Sequence, residues 1–257
     1  MIMRKIRTSI SIIKKVKNWP RFFLNFPQKK ETIIKFRDEV ILHTFLPQNI
    51  LEVWIQEGYT PKGFQIKPND TVIDIGAHIG SFSVYAARKA NNIKVFSYEP
   101  DKRNFNRIKE NILLNNLENL IKPNLLGVSS KNETKTFYLD YEHPGNQSLF
   151  VKTKNPIEIK CITLNKIFDS NNIKQCNFLK MDCEGAEFDI LYSSKNILKK
   201  VDKIAMEFHN LDKKQNNHTE LKRFLENCGF KVIVKGLRKD DFFPLGVGML
   251  YAIKIKT

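Results

Sequence analysis

A chain of 257 residues that is 42% hydrophobic and 11% aromatic can bury a sizeable core, so disorder is excluded as its default state. A net charge of +16 points to an anionic partner or surface, yet no apolar run is long enough to span a bilayer and no segment has the apolar core of a signal peptide. Four cysteines (Cys161, Cys176, Cys183, Cys228) without a CxxC pair exclude a zinc spacing and a disulfide scaffold, and they read as free thiols in a reducing compartment.

The excess charge gathers at the start. Residues 1–30 hold nine Lys and Arg and no acid. Ile2, Ile6, Ile10, Ile13 and Val16 recur there at steps of three and four, which on a helix makes one apolar face among cations. Trp19, Phe22 and Phe23 follow. Such an arm suits an anionic membrane surface, and equally a basic segment packed against the domain. Nucleic acid is a third use of basic charge, with nothing else in the chain to support it. The expectation is an arm over 1–30, one domain over 31–257, and a cytoplasmic location with contact at the inner membrane surface.

Residues 31–45 read as a hairpin around Arg37-Asp38, and 49–59 as a short helix. An alternation then begins: strand 71–75, helix 80–90, strand 93–99, helix 101–116, and a third strand within 121–128. It resumes with strand 176–182, helix 185–194, strand 202–209, helix 219–229, and strands 230–235 and 246–255. This is an α/β chain with a mainly parallel sheet, helices on both faces, and a last strand free to enter antiparallel. Between 129 and 170 the alternation fails and short strands or loops form a β-rich insertion. Asn146, Gln147 and Ser148 are candidate polar contacts there.

Ligands of such sheets sit outside the carboxyl ends of the strands, near the switch in strand order. The stretch VIDIGAHIG (72–80) lies there. Asp74 ends the apolar run, Gly76 allows a sharp turn, and Gly80 lets the next helix approach closely. Ala77 and His78 stand between the glycines, so this is DxGxxxG and not the GxGxxG of dinucleotide sites. Glu99, followed by Pro100, ends the next strand, where an acid can accept two hydrogen bonds from ribose hydroxyls. In LKMDCEGAEFDIL (179–191), Asp182 ends a strand, and Glu184 and Glu187 are expected to share a face of the helix that follows. Glu207 and His209 fall on one side of the next strand.

These three blocks resemble the FkbM-type methyltransferases, of the Rossmann-like class I S-adenosylmethionine-dependent fold, over about residues 66–210. The D-x-E-G-x-E element is the most specific part. Asn111 and Asn115 match asparagines that the family tends to have, and His78 stands where it often has Asn. The resemblance implies S-adenosylmethionine as cofactor, with Asp74, Gly76, Ala77, His78 and Gly80 around its methionine part. Glu99 and Pro100 would lie at the ribose, Leu126–Ser129 near the adenine, and Asp182 beside the methyl. It implies transfer to a hydroxyl of a sugar, glycan or related metabolite, with Glu184 or His209 as base. Magnesium across Asp182, Glu184 and His209 would suit hard carboxylates, but nothing in the spacing demands one and no metal ligand is assigned. The rivals are a nicotinamide oxidoreductase, which lacks its glycine fingerprint here, and a non-catalytic nucleotide- or membrane-binding module, which leaves the acids unexplained. A nucleic-acid base methyltransferase would carry an Asn/Asp-Pro-Pro-aromatic turn where MDCEG stands.

Overall fold

The structure, a computed structural model, describes residues 2–25, 31–45, 47–139, 155–239 and 243–255. The chain opens with α1 (Ile2–Lys15) and α2 (Trp19–Asn25), followed by β1 (Thr32–Lys35) and β2 (Ile41–Thr44), which pair antiparallel as the expected hairpin. Between the two helices the chain adds to the hairpin's outer edge. Val16 bridges Phe36, and Asn18 exchanges side-chain hydrogen bonds with the backbone of Ile33 and Lys35. A short α3 (Pro47–Ile50) runs into a π-helical turn, Leu51–Ile55, where one plain helix was expected.

The α/β core starts at β3 (Thr71–Ile75) and continues through α4 (Ser81–Lys89), β4 (Lys94–Tyr98), α5 (Lys102–Leu114) and β5 (Ile121–Asn124). The expected third strand is split. Gly127–Val128 leaves as β6 and joins a second sheet with β7 (Glu133–Leu139) and β8 (Asn155–Ile162). This sheet is the β-rich insertion, and Asn146, Gln147 and Ser148 lie outside the described residues. The insertion closes on α6 (Leu164–Ser170), a helix that the sequence reading did not separate. Its N-cap is Thr163, whose hydroxyl accepts from the Lys166 amide. Then come β9 (Phe178–Met181), α7 (Glu187–Tyr192), β10 (Lys203–His209), α8 (His218–Asn227), β11 (Phe230–Arg238) and β12 (Val247–Lys254).

Among the described residues the central sheet has seven strands in the order β11-β12-β10-β9-β3-β4-β5. The five from β10 to β5 are parallel, and β12 enters antiparallel between β10 and β11, as expected. All four residues of β9 are buried, as a central parallel strand requires. Alternation divides the core. Val72, Val95 and Phe178 meet α4, α5, the hairpin and Ile12, Val16 and Phe22 of the N-terminal segment. Ile73, Leu179, Met181 and Met206 meet α6, α7 and α8 on the other face. Each such side chain contributes about 1.5–3 kcal/mol by leaving water.

Asn111 on α5 and Asn115 at its C-cap, one turn apart, hold the hairpin to this core. Each side-chain amide mimics a peptide group. Asn111 accepts from the amide of His43 and donates to its carbonyl, and Asn115 does the same at Ile41. Two residues along β2 thus match one turn of α5.

Candidate active site

The strand order reverses at β3 and β9. From β3 the chain winds outward through β4 and β5, and from β9 through β10. The crevice of a doubly wound sheet opens at that point. There the backbone of Gly76 lies against the end of β9. A Cβ on Gly76 would stand 1.8 Å from the Asp182 carbonyl oxygen, and φ is +70°. Only glycine meets both demands.

A polar row crosses the buried sheet beneath this loop: Ser97 on β4, Asp74 on β3 and Lys180 on β9, side by side in register. Asp74 is fully buried, accepts from the Ser83 hydroxyl at 2.6 Å and pairs with Lys180 Nζ at 3.2 Å. Lys180 also donates to the Gly76 carbonyl at 2.7 Å. Asp74 was expected around the methionine part of the cofactor, and this geometry has it ordering the loop from within the sheet. Burial opposes the Lys180 charge, but Asp74 and Asp182 outweigh it and raise its pKa.

Glu99 is buried behind the same loop. Its Oε2 accepts from the His78 amide at 2.8 Å and its Oε1 from the Asp101 amide at 2.9 Å. Oε1 also accepts from the Asn104 side-chain amide at 3.4 Å, and Oε2 keeps a second lone pair. Burial pushes the carboxyl up to about 8 against these donors. His78 takes a left-handed conformation, φ 52°, and Asn49 donates to its Nδ1 at 2.7 Å, which leaves the proton on Nε2. Nε2 is buried with no hydrogen-bond partner among the described residues, and burial lowers the ring's pKa to about 4.

Across the switch, the ends of β9 and β10 carry the second group. Glu184 and Glu187 do not share a helix face. The helix begins at Glu187, and Glu184 stands in the turn before it with φ 51°. A non-glycine residue there costs about 1–2 kcal/mol. Glu187 is fully buried, its carboxylate accepting from the amides of Cys183 (2.9 Å) and Gly185 (3.0 Å). It therefore fixes the turn that presents Glu184. His209 lies between the two acids, Nδ1 at 3.1 Å from Glu187 and Nε2 at 3.4 Å from Glu184. Burial alone would lower the imidazole's pKa, but Glu184 and Glu187 raise it to about 10. Burial, and then the charges of Asp182 and Glu207 against that of His209, hold Glu184 well above the usual carboxylate range. His209 has 4% of its side chain exposed and Glu184 19%, so Glu184 is the member that faces outward.

Asp182, Glu207 and His209 also bring one ligand atom each within 4.8 Å of one another. This is a different trio from the one considered for magnesium. It is already engaged: Arg238 donates to Glu207 at 2.7 Å and Tyr59 to Asp182 at 2.9 Å. Tyr59, Lys180 and Arg238 were missed by sequence reasoning. Lys180 alone left a signal, a lysine inside an apolar strand, because a buried lysine requires a partner. The four cysteines are free thiols, as expected, and none joins the group.

The fold and site define a class I methyltransferase. The crystal structure of methyltransferase FkbM from Methylobacillus flagellatus KT shares the fold, with a TM-score of 0.50 and 17% identity over 78% of this chain and 47% of that one. The methyltransferase FkbM domain model matches residues 74–232, so the chain belongs to this family. Its cofactor is S-adenosylmethionine. The donor set suits that molecule, with a buried carboxylate at the end of β4 for a ribose diol and a cluster of acids at the ends of β9 and β10 for a sulfonium. Among curated relatives, hexuronic acid methyltransferase AglP of Haloferax volcanii is 26% identical over 71% of this chain and 72% of its own. Methyltransferase 1 of Beauveria bassiana is 24% identical over 79% of this chain and 86% of its own.

Proposed function

We propose that this methyltransferase acts on oxygen, at a neutral hydroxyl of a sugar, glycan or related metabolite. The observation that carries the reading is the line Glu184–His209–Glu187 at the carboxyl end of β9 and β10. A hydroxyl must lose its proton as it attacks, and a carboxylate within reach serves as base. The hexuronic acid relative supports a sugar acceptor. The acid cluster disfavours an anionic oxygen and suits an uncharged one.

S-adenosylmethionine, when bound, supplies a methyl group already activated on a sulfonium. Glu99 would accept from the ribose hydroxyls, and the loop from Gly76 to Gly80 with Pro100 would line the cofactor's bed, with Asp182 toward the methyl. Glu184 would take the proton that the acceptor hydroxyl loses as its oxygen gains the methyl. His209 is a positioning residue, held by Glu187 so that Nε2 faces Glu184. The alignment of oxygen, carbon and sulfur supplies most of the acceleration.

The test is methyl transfer from labelled S-adenosylmethionine to a panel of neutral and uronic-acid oligosaccharides, with the product treated in mild alkali. An alkali-stable methyl ether lost in Glu184→Gln supports the reading. An alkali-labile ester, or transfer to nitrogen, overturns it, because a carboxylate acceptor needs no base.

A further inference from the structure

The N-terminal segment does not bury the face that its spacing suggests. Ile12 on α1 and Val16 just beyond it turn inward, 2% and 0% exposed. Ile6, Ile10 and Ile13 remain 52%, 47% and 39% exposed. At 100° per residue these three fall within about 60° of one another, a single stripe, with the exposed Arg7 and Lys14 along one side. Phe23 and Leu24 at the end of α2 are also exposed, at 37% and 69%. The helix is nonetheless fastened. Lys15 donates to the Trp54 carbonyl at 2.8 Å and pairs with Glu57 at 3.1 Å, and Arg37 bonds the Ile13 carbonyl. An apolar stripe is therefore held outward by a helix fixed on its other side.

We infer that this face docks on an anionic lipid surface. The nine basic residues of 1–30, with no acid among them, complement anionic headgroups, and the isoleucines enter the boundary between headgroup and acyl chain. A nucleic acid would use the cations and leave the isoleucines in water. A second copy of the same face would bring like charges together. The fastening has a consequence for the site. Lys15 holds the π-helical turn at Trp54 and its neighbour Glu57, and Tyr59, two residues on, reaches Asp182. A membrane-held arm thus touches the segment that walls the acid cluster, which suits an acceptor presented at a membrane surface.

The experiment is flotation of the full chain with vesicles of phosphatidylglycerol and phosphatidylcholine, and with phosphatidylcholine alone. Wild type is expected to float with the anionic vesicles and to bind the neutral ones about tenfold or more weakly. The combined Ile6→Ser, Ile10→Ser and Ile13→Ser replacement is expected to cut anionic binding about tenfold or more, with unchanged S-adenosylmethionine affinity and melting temperature. Arg7→Glu with Lys14→Glu, a second variant on the same stripe, is expected to cut it as well. Failure of wild type to float overturns the inference. So does flotation indifferent to the isoleucines, or isoleucine replacement that converts a dimer to a monomer in light scattering. Equal retention on RNA of wild type and the isoleucine variant, without flotation, would mark the arm as a phosphate binder instead.

Discussion

The two halves of the sheet's carboxyl edge carry similar residues with different partners. At β3 and β4, Asp74 and Glu99 are each matched, one by Ser83 and Lys180, the other by two backbone amides. At β9 and β10, Asp182, Glu184, Glu187 and Glu207 crowd one imidazole and one arginine, and repulsion among them adds to burial in raising Glu184 and Glu207. Matched buried charge makes a rigid bed. Crowded charge makes groups whose proton affinity moves when a ligand arrives. On the proposed reading, the first half binds and the second transfers a proton.

The largest effects should come from breaking the matched half. Lys180→Met leaves Asp74 buried without its cation, and the expected loss is about 3–5 kcal/mol of folding stability by denaturant titration. Adding Asp74→Asn should restore much of it. A loss below about 1 kcal/mol would mean that the polar row is not what holds the Gly76 loop.

Glu184→Gln should lower the turnover rate by about 10²–10⁴-fold, with cofactor affinity changed by less than about tenfold. The pH profile adds a sign. Glu184 accepts a proton only as carboxylate, and its pKa is raised, so the rate should climb with pH above the ordinary carboxylate range. The glutamine variant should lose that limb. A wild-type rate that falls as pH rises through neutrality would remove Glu184 from the role.

Glu99→Ala should weaken S-adenosylmethionine binding by about 10–100-fold in calorimetry. The carboxyl titrates at about 8, and only its ionised form accepts two ribose hydroxyls at full strength. Affinity should therefore rise from pH 6 to pH 9, and Glu99→Gln should be flat over that range.

In both halves the acids at the strand ends were legible in the sequence, and their partners Lys180, Tyr59 and Arg238 were not. A strand ending in an acid, followed by glycines four apart, has few foldings, and β3 falls on the expected residues. The antiparallel last strand followed from its loop connection. Glu184 and Glu187 were misplaced because helical spacing was extended over Gly185, whose φ of 107° breaks it. Tyr59 and Arg238 reach the acids from 123 and 31 residues away in sequence, so no local pattern announces them. The N-terminal stripe was read with Val16 on the Ile6 face, but the helix ends at Lys15 and Val16 pairs with Phe36 at the hairpin's edge.

The smallest effect separates the halves most directly. A cation placed beside raised carboxyls lowers their proton affinity, and by linkage its binding releases protons. S-adenosylmethionine carries a sulfonium and S-adenosylhomocysteine a neutral sulfur, so on the proposed reading the two differ by one charge near Glu184, whose pKa is raised. Calorimetric titrations in two buffers of different ionisation enthalpy count the protons exchanged. Near the midpoint of Glu184, binding of the sulfonium form should release a larger fraction of a proton than binding of the neutral form. Glu184→Gln should abolish that difference, whereas Glu99→Gln should leave it intact and remove only what the two ligands share. Equal proton release by both ligands in the wild type would mean that the crowded half does not sense the sulfonium, and the division of labour along the sheet edge would fall with it.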